Sequence, residues 1–297
     1  MEAMARNEQW VAAQVEGTLQ RIIGDVTTPG CPARLAQAMR HAVFPSGARL
    51  RPRLCMAVAM ACEVTEPQAA LAAAAAIELL HCASLVHDDL PCFDDADERR
   101  GKASVHRAFG ERIAVLAGDA LIVLAFQTLA TDNWVPKEHL AALIGIVSRA
   151  VGMPAGIAAG QARECEPRVA LTSYHLEKTG ALFAAASMAG AASAGRAHEP
   201  WRALGEQLGL AYQVADDIRD VAGSSELLGK PTGQDAMHAR PSAARELGLA
   251  GAIERLDQLV SAAAESVPVC PGAAGLRALI EIEAKRFLPE GLVRRAA

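Results

Sequence analysis

Two acidic segments set the terms on which this chain can fold. Asp88-Asp89-Leu90-Pro91-Cys92-Phe93-Asp94 and Asp216-Asp217-Ile218-Arg219-Asp220 stand far apart in a sequence that otherwise reads as alanine-rich helix. Carboxylates one helical turn apart repel one another, and clustered oxygen donors are what a hard cation such as Mg²⁺ takes. Pro91 ends the helix that leads into the first segment, because a proline pushes the residue before it out of the α region. The pair Asp88/Asp89 therefore sits at a helix C-terminus, where negative charge opposes the helix dipole. Such a chain has to fold around divalent metal.

The remainder of the sequence predicts helix after helix and no convincing strand. The hydrophobic fraction is 52% while aromatics supply only 4%. Ala, Leu and Val make up most of the difference, and alanine is the best helix former, so the mix favours close-packed helices over sheet. Thr65-Glu66-Pro67-Gln68 has the pattern of a capping box opening a long helix through Leu71, Ile77, Leu80 and Leu85 to Asp88. Further helices are expected at about 5–24, 33–43, 51–63, 111–131, 137–151, 173–193, 200–222, 243–266 and 273–287. No repeat, linker or low-complexity tail interrupts them, so residues 1–297 are read as one all-α domain.

Composition excludes several classes. A net charge of −5 and the acidic pI argue against nucleic acid as a partner. Seven cysteines, an odd number without a CxxC pair, suit small buried hydrophobes in a reducing compartment and point to the cytoplasm. The polar start, Met1 to Trp10, lacks the apolar segment of a targeting peptide. Ile113 to Ala130 is apolar, but its mid-span Asp119 would cost roughly 3 kcal/mol in a bilayer, so it is read as a core helix rather than a transmembrane span. Basic residues punctuate the acidic segments: Arg49 and Arg51 before the first, Arg99-Arg100 after it, then Lys178 and Lys230. Carboxylates for Mg²⁺ combined with scattered guanidinium and ammonium groups are what a diphosphate ester requires.

Seven segments in order sharpen this. Ser46-Gly47-Ala48-Arg49-Leu50-Arg51-Pro52, His81 through Pro91 continuing to Lys102, Gly118-Asp119-Ala120-Leu121, Gly160-Gln161, Lys178-Thr179-Gly180-Ala181-Leu182, Tyr212 through Asp220 and Leu228-Gly229-Lys230 together resemble the bacterial trans-isoprenyl diphosphate synthases. The resemblance runs from about residue 40 to about 285 and is nearest the geranylgeranyl diphosphate synthase branch that feeds carotenoid and bacteriochlorophyll synthesis. It implies a helical bundle around a deep central cavity, a homodimer, and head-to-tail condensation of isopentenyl diphosphate with an allylic diphosphate. It also implies three Mg²⁺ ions held by Asp88, Asp89, Asp94, Asp216, Asp217 and Asp220. Arg99, Lys178, Lys230 and Arg240 would neutralise the allylic diphosphate as it ionises, with Thr179, Tyr212 and Gln213 beside the cation. Isopentenyl diphosphate would be held by Arg51, Arg100, His81 and Arg49. The segment from Gly223 to Pro241 would form a lid.

Departures from the family pattern matter too. The lysine that relatives place in the first segment is Ala48, a missing charge-assisted contact unless Arg49 replaces it. Ser84 and Ala83 lie four and five residues before Asp88, about one turn deeper, where a growing prenyl tail would pass. Both are small, where synthases stopping at fifteen carbons place an aromatic ring. Leu80 and then Ile77 or Ala76 would set the limit, giving a product of twenty carbons, with fifteen and twenty-five left open. A class I terpene cyclase and a non-catalytic prenyltransferase subunit stand as alternatives.

Overall fold

The computed structural model describes residues 2–45, 47–131, 134–167, 170–222, 242–284 and 287. The expected lid, Lys230, Arg240 and Ser46 lie outside the described residues. The expected helices follow in order, joined by two short ones the sequence did not announce, Val105–Phe109 and Ile157–Arg163: α1 Glu2–Val26, α2 Ala33–Val43, α3 Leu50–Ala61, α4 Gln68–Asp88, α5 Val105–Phe109, α6 Glu111–Ala130, α7 Lys137–Val151, α8 Ile157–Arg163, α9 Leu171–His175, α10 Ala181–Ser193, α11 Arg202–Ala222, α12 Ala243–Glu265 and α13 Ala273–Ala284.

α4 is the axis of the bundle. Nearly every residue from Ala69 to Ala83 is buried, and α1, α2, α3, α6, α7 and α10 all pack against it. A helix apolar all round can be stable only inside a protein, and its alanines let neighbouring helices approach closely. A second apolar cluster joins α11 to α12, and Leu50 and Tyr212 touch both clusters. Because α11 packs on α10 and α10 on α4, the two acidic segments are carried on helices tied to one core.

Several local features differ from the sequence expectation. The Thr65 capping box does not form: α4 opens at Gln68 with Pro67 in the cap position and no side-chain cap bond. Proline's fixed φ starts the ladder itself, with Leu71 N donating to Pro67 O at 2.8 Å. The helix expected over 173–193 is interrupted by a π-helical turn, Leu176–Gly180. A short hairpin pairs Glu98–Arg99 (β1) antiparallel with Lys102–Ala103 (β2). Its turn residues, Arg100 (φ 56°) and Gly101 (φ 72°), both take the positive φ that a tight two-residue hairpin demands. α6 is only half covered, leaving Val115, Leu116 and Val123 at 41%, 50% and 55% exposure. Of the seven cysteines, all unpaired, only Cys55, Cys62 and Cys82 are buried, so the reading of them all as core hydrophobes is corrected.

The short helix α8 sits directly on the π turn. A Cβ built on Gly160 would lie 2.4 Å from the backbone nitrogen of Lys178, so only glycine permits this approach. Gly160→Ala is expected to force the two segments apart at a cost of about 1–3 kcal/mol. A lowered Tm in thermal melts checks it.

Candidate active site

α4 delivers Asp88 as its last residue and Asp89 as its C-cap. The chain then curls back, with Asp94 N donating to Asp88 O at 2.9 Å and Ala96 N to Asp89 O at 3.2 Å, so Asp94 returns to the helix end. α11 carries Asp216, Asp217 and Asp220 within one turn and a half of helix. Asp88 and Asp216 open into the same cavity of about 360 Å³, whose walls also carry Arg51, His81, Ser84, Arg99, Arg100, Gln161, Lys178, Thr179, Tyr212 and Gln213. Two further cavities, one between α1, α3 and α13 and one at the opposite end of the bundle, have no aspartate in their walls.

The carboxylates divide by what already holds them. Asp89, 2% exposed, accepts from Arg99 Nε at 2.9 Å. Asp217, 1% exposed, accepts from Gln213 Nε2 at 3.0 Å and from the backbone of Ala243 at 2.7 Å, with His175 Nε2 3.8 Å away. Asp88 accepts from Gln161 Nε2 at 2.8 Å and has Lys178 Nζ at 3.8 Å. Asp216 accepts from Arg219 Nη2 at 3.0 Å, and Asp220 is buried one turn further along α11. Burial pushes the carboxyl of Asp88 above its usual value, against the pull of Lys178 and Gln161, and the nearby Asp94 adds to the rise. Asp89 is raised for the same first reason, with Arg99 opposing.

Lys178 belongs to a small network. Its ammonium is gripped by Glu164, which also accepts from Tyr174 Oη at 2.5 Å. Thr179 Oγ1 donates to Gln213 Oε1 at 2.7 Å, and Gln213 passes the orientation on to Asp217. Gln161 and Glu164 were not singled out as site residues in the sequence. The signal was there, since an amide and a carboxylate three residues apart on a short helix share one face.

On the opposite wall the guanidinium groups split in the same way. Arg49 takes a left-handed conformation (φ 50°) at the N-cap of α3, which turns its side chain inward. There Nη1 donates to Glu78 at 2.6 Å, Nε to Glu16 at 3.2 Å and Nη2 to Val43 O at 2.9 Å. Arg49 lines the same cavity with these donors engaged by the protein. Arg51 lies over the Phe183 ring at 4.6 Å, and its buried Nε has no acceptor among the described residues. Burial pulls the Arg51 guanidinium below its usual value. His81 is held well below the usual imidazole range by burial and then by Arg51, Arg100 and Arg99, so it is neutral at pH 7. Arg99 and Arg100, neighbours in the hairpin, face different partners: Arg99 pairs with Asp89, while Arg100 lies against Glu78 and Cys82.

Ser84 lines the cavity one turn below Asp88, with its hydroxyl bonded to His81 O at 2.8 Å. Ala83 and Leu80 are fully buried in the packed interior, outside the cavity wall.

The donor set fits Mg²⁺. Among the described residues no group of three or more His, Cys, Asp or Glu is gathered as a ready-made metal cage. Mg²⁺ needs none, since it takes one or two carboxylates and completes its octahedron with water and substrate phosphate. An orphaned arginine donor across the cavity suits the phosphate.

An all-α bundle whose two acidic helix segments share a cavity with arginines defines a metal-dependent handler of diphosphate esters. Residues 32–269 match the polyprenyl synthetase family, and the chain belongs to it. It is 47% identical over 282 residues to a geranylgeranyl diphosphate synthase of Cereibacter sphaeroides, covering 95% of this chain and 98% of that one. Its fold is similar to that of an FPP/GFPP synthase from Zymomonas mobilis, with a TM-score of 0.78 and 32% identity over 94% of this chain and 99% of that one. A geranyltransferase from Helicobacter pylori, complexed with magnesium and isoprenyl diphosphate, gives a TM-score of 0.78 with 29% identity over 92% of this chain and 96% of that one.

Asp88→Asn and Asp216→Asn are each expected to lower turnover by at least ~10²-fold, since they remove donors for the charge that stabilises the leaving group. Without metal the Tm of Asp88→Asn should equal or exceed that of the parent, because a poorly solvated charge has been removed rather than a core contact. Steady-state kinetics and metal-free thermal melts check the two halves.

Proposed function

We propose that this prenyltransferase condenses isopentenyl diphosphate head-to-tail with allylic diphosphates and releases chiefly geranylgeranyl diphosphate. The observation that carries the reading is one cavity lined both by carboxylates from α4 and α11 and by cations suited to a diphosphate. Mg²⁺, three ions in this reading, would when bound supply positive charge that stabilises the departing diphosphate. Asp88, Asp94, Asp216 and Asp220 would hold it, while Asp89 and Asp217, the two most deeply buried of these carboxylates, orient the helix ends behind them.

The remaining steps fall to the chain's own side chains. Lys178, within reach of Asp88 and Glu164, donates to the leaving diphosphate as the C–O bond breaks, placing charge where it develops. The oxygens of Thr179 and Gln213, fixed by their mutual bond, face the allylic cation. Arg51 and Arg100 hold the diphosphate of isopentenyl diphosphate, with neutral His81 as a hydrogen-bonding neighbour, and aim its double bond at the cation. The departed diphosphate takes up the final proton. Incubation with Mg²⁺, isopentenyl diphosphate and each allylic primer, followed by sizing of products, tests the reading: linear prenyl diphosphates support it, and a cyclic hydrocarbon or no product refutes it.

Two substitutions probe the details. Ser84→Tyr puts a ring on the cavity wall one turn below the aspartates, and a ring cannot share close-packed volume with a prenyl unit. Product is expected to shift from twenty toward fifteen carbons, as read by chromatography. Ala48→Lys, at an exposed edge of the cavity, adds a phosphate contact made equally in ground and transition states. KM for isopentenyl diphosphate should fall several-fold with kcat little changed.

The exposed apolar stripe of α6 supports a homodimer. Val115, Leu116 and Val123 lie on a helix with a mean hydropathy of 2.0, and a two-fold axis would cover the stripe with its own copy. Leu116→Glu with Val123→Glu is expected to convert a two-chain mass to a one-chain mass in light scattering.

A further inference from the structure

Glu78 is buried in the middle of α4 at 2% exposure, one turn above the alanine run and three residues before His81. A carboxylate in such a place costs several kcal/mol unless it is paired. Its partners are guanidinium groups from two separate segments. Arg49, at the start of α3, donates to Oε1 at 2.6 Å, and Arg100, in the hairpin turn, brings Nη2 to 3.7 Å from the same oxygen. Cys82, one turn along, lies 3.9 Å from Glu78 and 4.0 Å from Arg100 Nη1.

The two contacts do different things. The Arg49 bond is short, and Arg49 is closed off further by Glu16 and the Val43 carbonyl, so this pair is a fixed post. The Arg100 contact is longer than a hydrogen bond and Nη1 makes only a weak donation to Cys82 Sγ, so most of its donors stay open to another acceptor while its position is set by the carboxylate beside it. The Arg100 side chain, 19% exposed, reaches the cavity wall from there.

We propose that Glu78 is a positioning residue for the diphosphate of isopentenyl diphosphate, acting through Arg100 while Arg49 holds the carboxylate in place. The inference rests on Arg51 and Arg100 being that diphosphate's contacts. It gives Arg49 a role the sequence did not suggest: a counter-ion for the positioning carboxylate rather than a substrate ligand. Because Arg49 already neutralises Glu78, removing the carboxylate adds little attraction for the incoming anion. What is lost is the fixed orientation of a long, rotamer-rich side chain, and KM rises as a result.

The test is a double-mutant cycle of Glu78→Gln and Arg100→Gln, read as KM for isopentenyl diphosphate, KM for the allylic primer and kcat. Glu78→Gln should raise KM for isopentenyl diphosphate roughly tenfold, with the other two parameters within about twofold. In the Arg100→Gln background Glu78→Gln should add no further rise. An unchanged or lower KM, a parallel rise in the primer's KM, or a full additional effect in that background would overturn the proposal. If Glu78→Gln does not fold, Glu78→Asp takes its place in the cycle, with a smaller rise in the same single parameter. Arg100→Gln alone leaving KM for isopentenyl diphosphate unchanged would instead sink the underlying reading of the site.

Discussion

The desolvated carboxylate at the end of α4 is the constraint on which the rest of the molecule turns. Asp88 is fixed to the central helix of the bundle, at the pole where the backbone already presents unpaired carbonyls. Gln161, Lys178 and the returning loop with Asp94 all converge on it. None of these contacts removes the excess negative charge, since Asp94 and Glu164 add to it. A protein arranged in this way stores an affinity for divalent cations in its fold, and a diphosphate arriving with Mg²⁺ completes it.

The site is a balance of committed and available groups rather than a collection of charges. Asp89, Asp217 and Arg49 have their bonds made within the protein, and each braces a neighbour that faces the cavity. Arg51 shows the complementary state, stacked on Phe183 with a buried donor that finds no acceptor among the described residues. Braced groups lose little freedom when substrate binds, so more of the binding energy is left for the reacting centre.

The order and ends of the long helices were legible in the sequence because periodic burial and Pro91 speak locally. The π turn at Leu176–Gly180 was not, because its surrounding residues favour an ordinary helix and only the packing of α8 on Lys178 distinguishes it. The failed capping box around Thr65 shows a local motif losing to the proline beside it. Within the site, the residue types were readable but their commitments were not. Nothing near Arg49 in sequence announces Glu16 or Glu78, and nothing near Asp217 announces the backbone of Ala243. Segments 223–241 and 288–297 lie outside the described residues, and with them the expected Lys230 and Arg240.

The hairpin that bears Arg99 and Arg100 has one more implication. The two guanidinium groups sit on consecutive residues yet reach carboxylates about three turns apart along α4, one leaning on Asp89 and the other on Glu78. The spacing between these two seats is therefore set by a single covalent step along the backbone, next to a turn whose residues Arg100 and Gly101 take positive φ. Side-chain packing can drift under mutation, whereas this gauge cannot stretch. Inserting or removing one residue here would leave at most one of the two seats with an arginine, which makes the turn a place where a change of length costs more than a substitution.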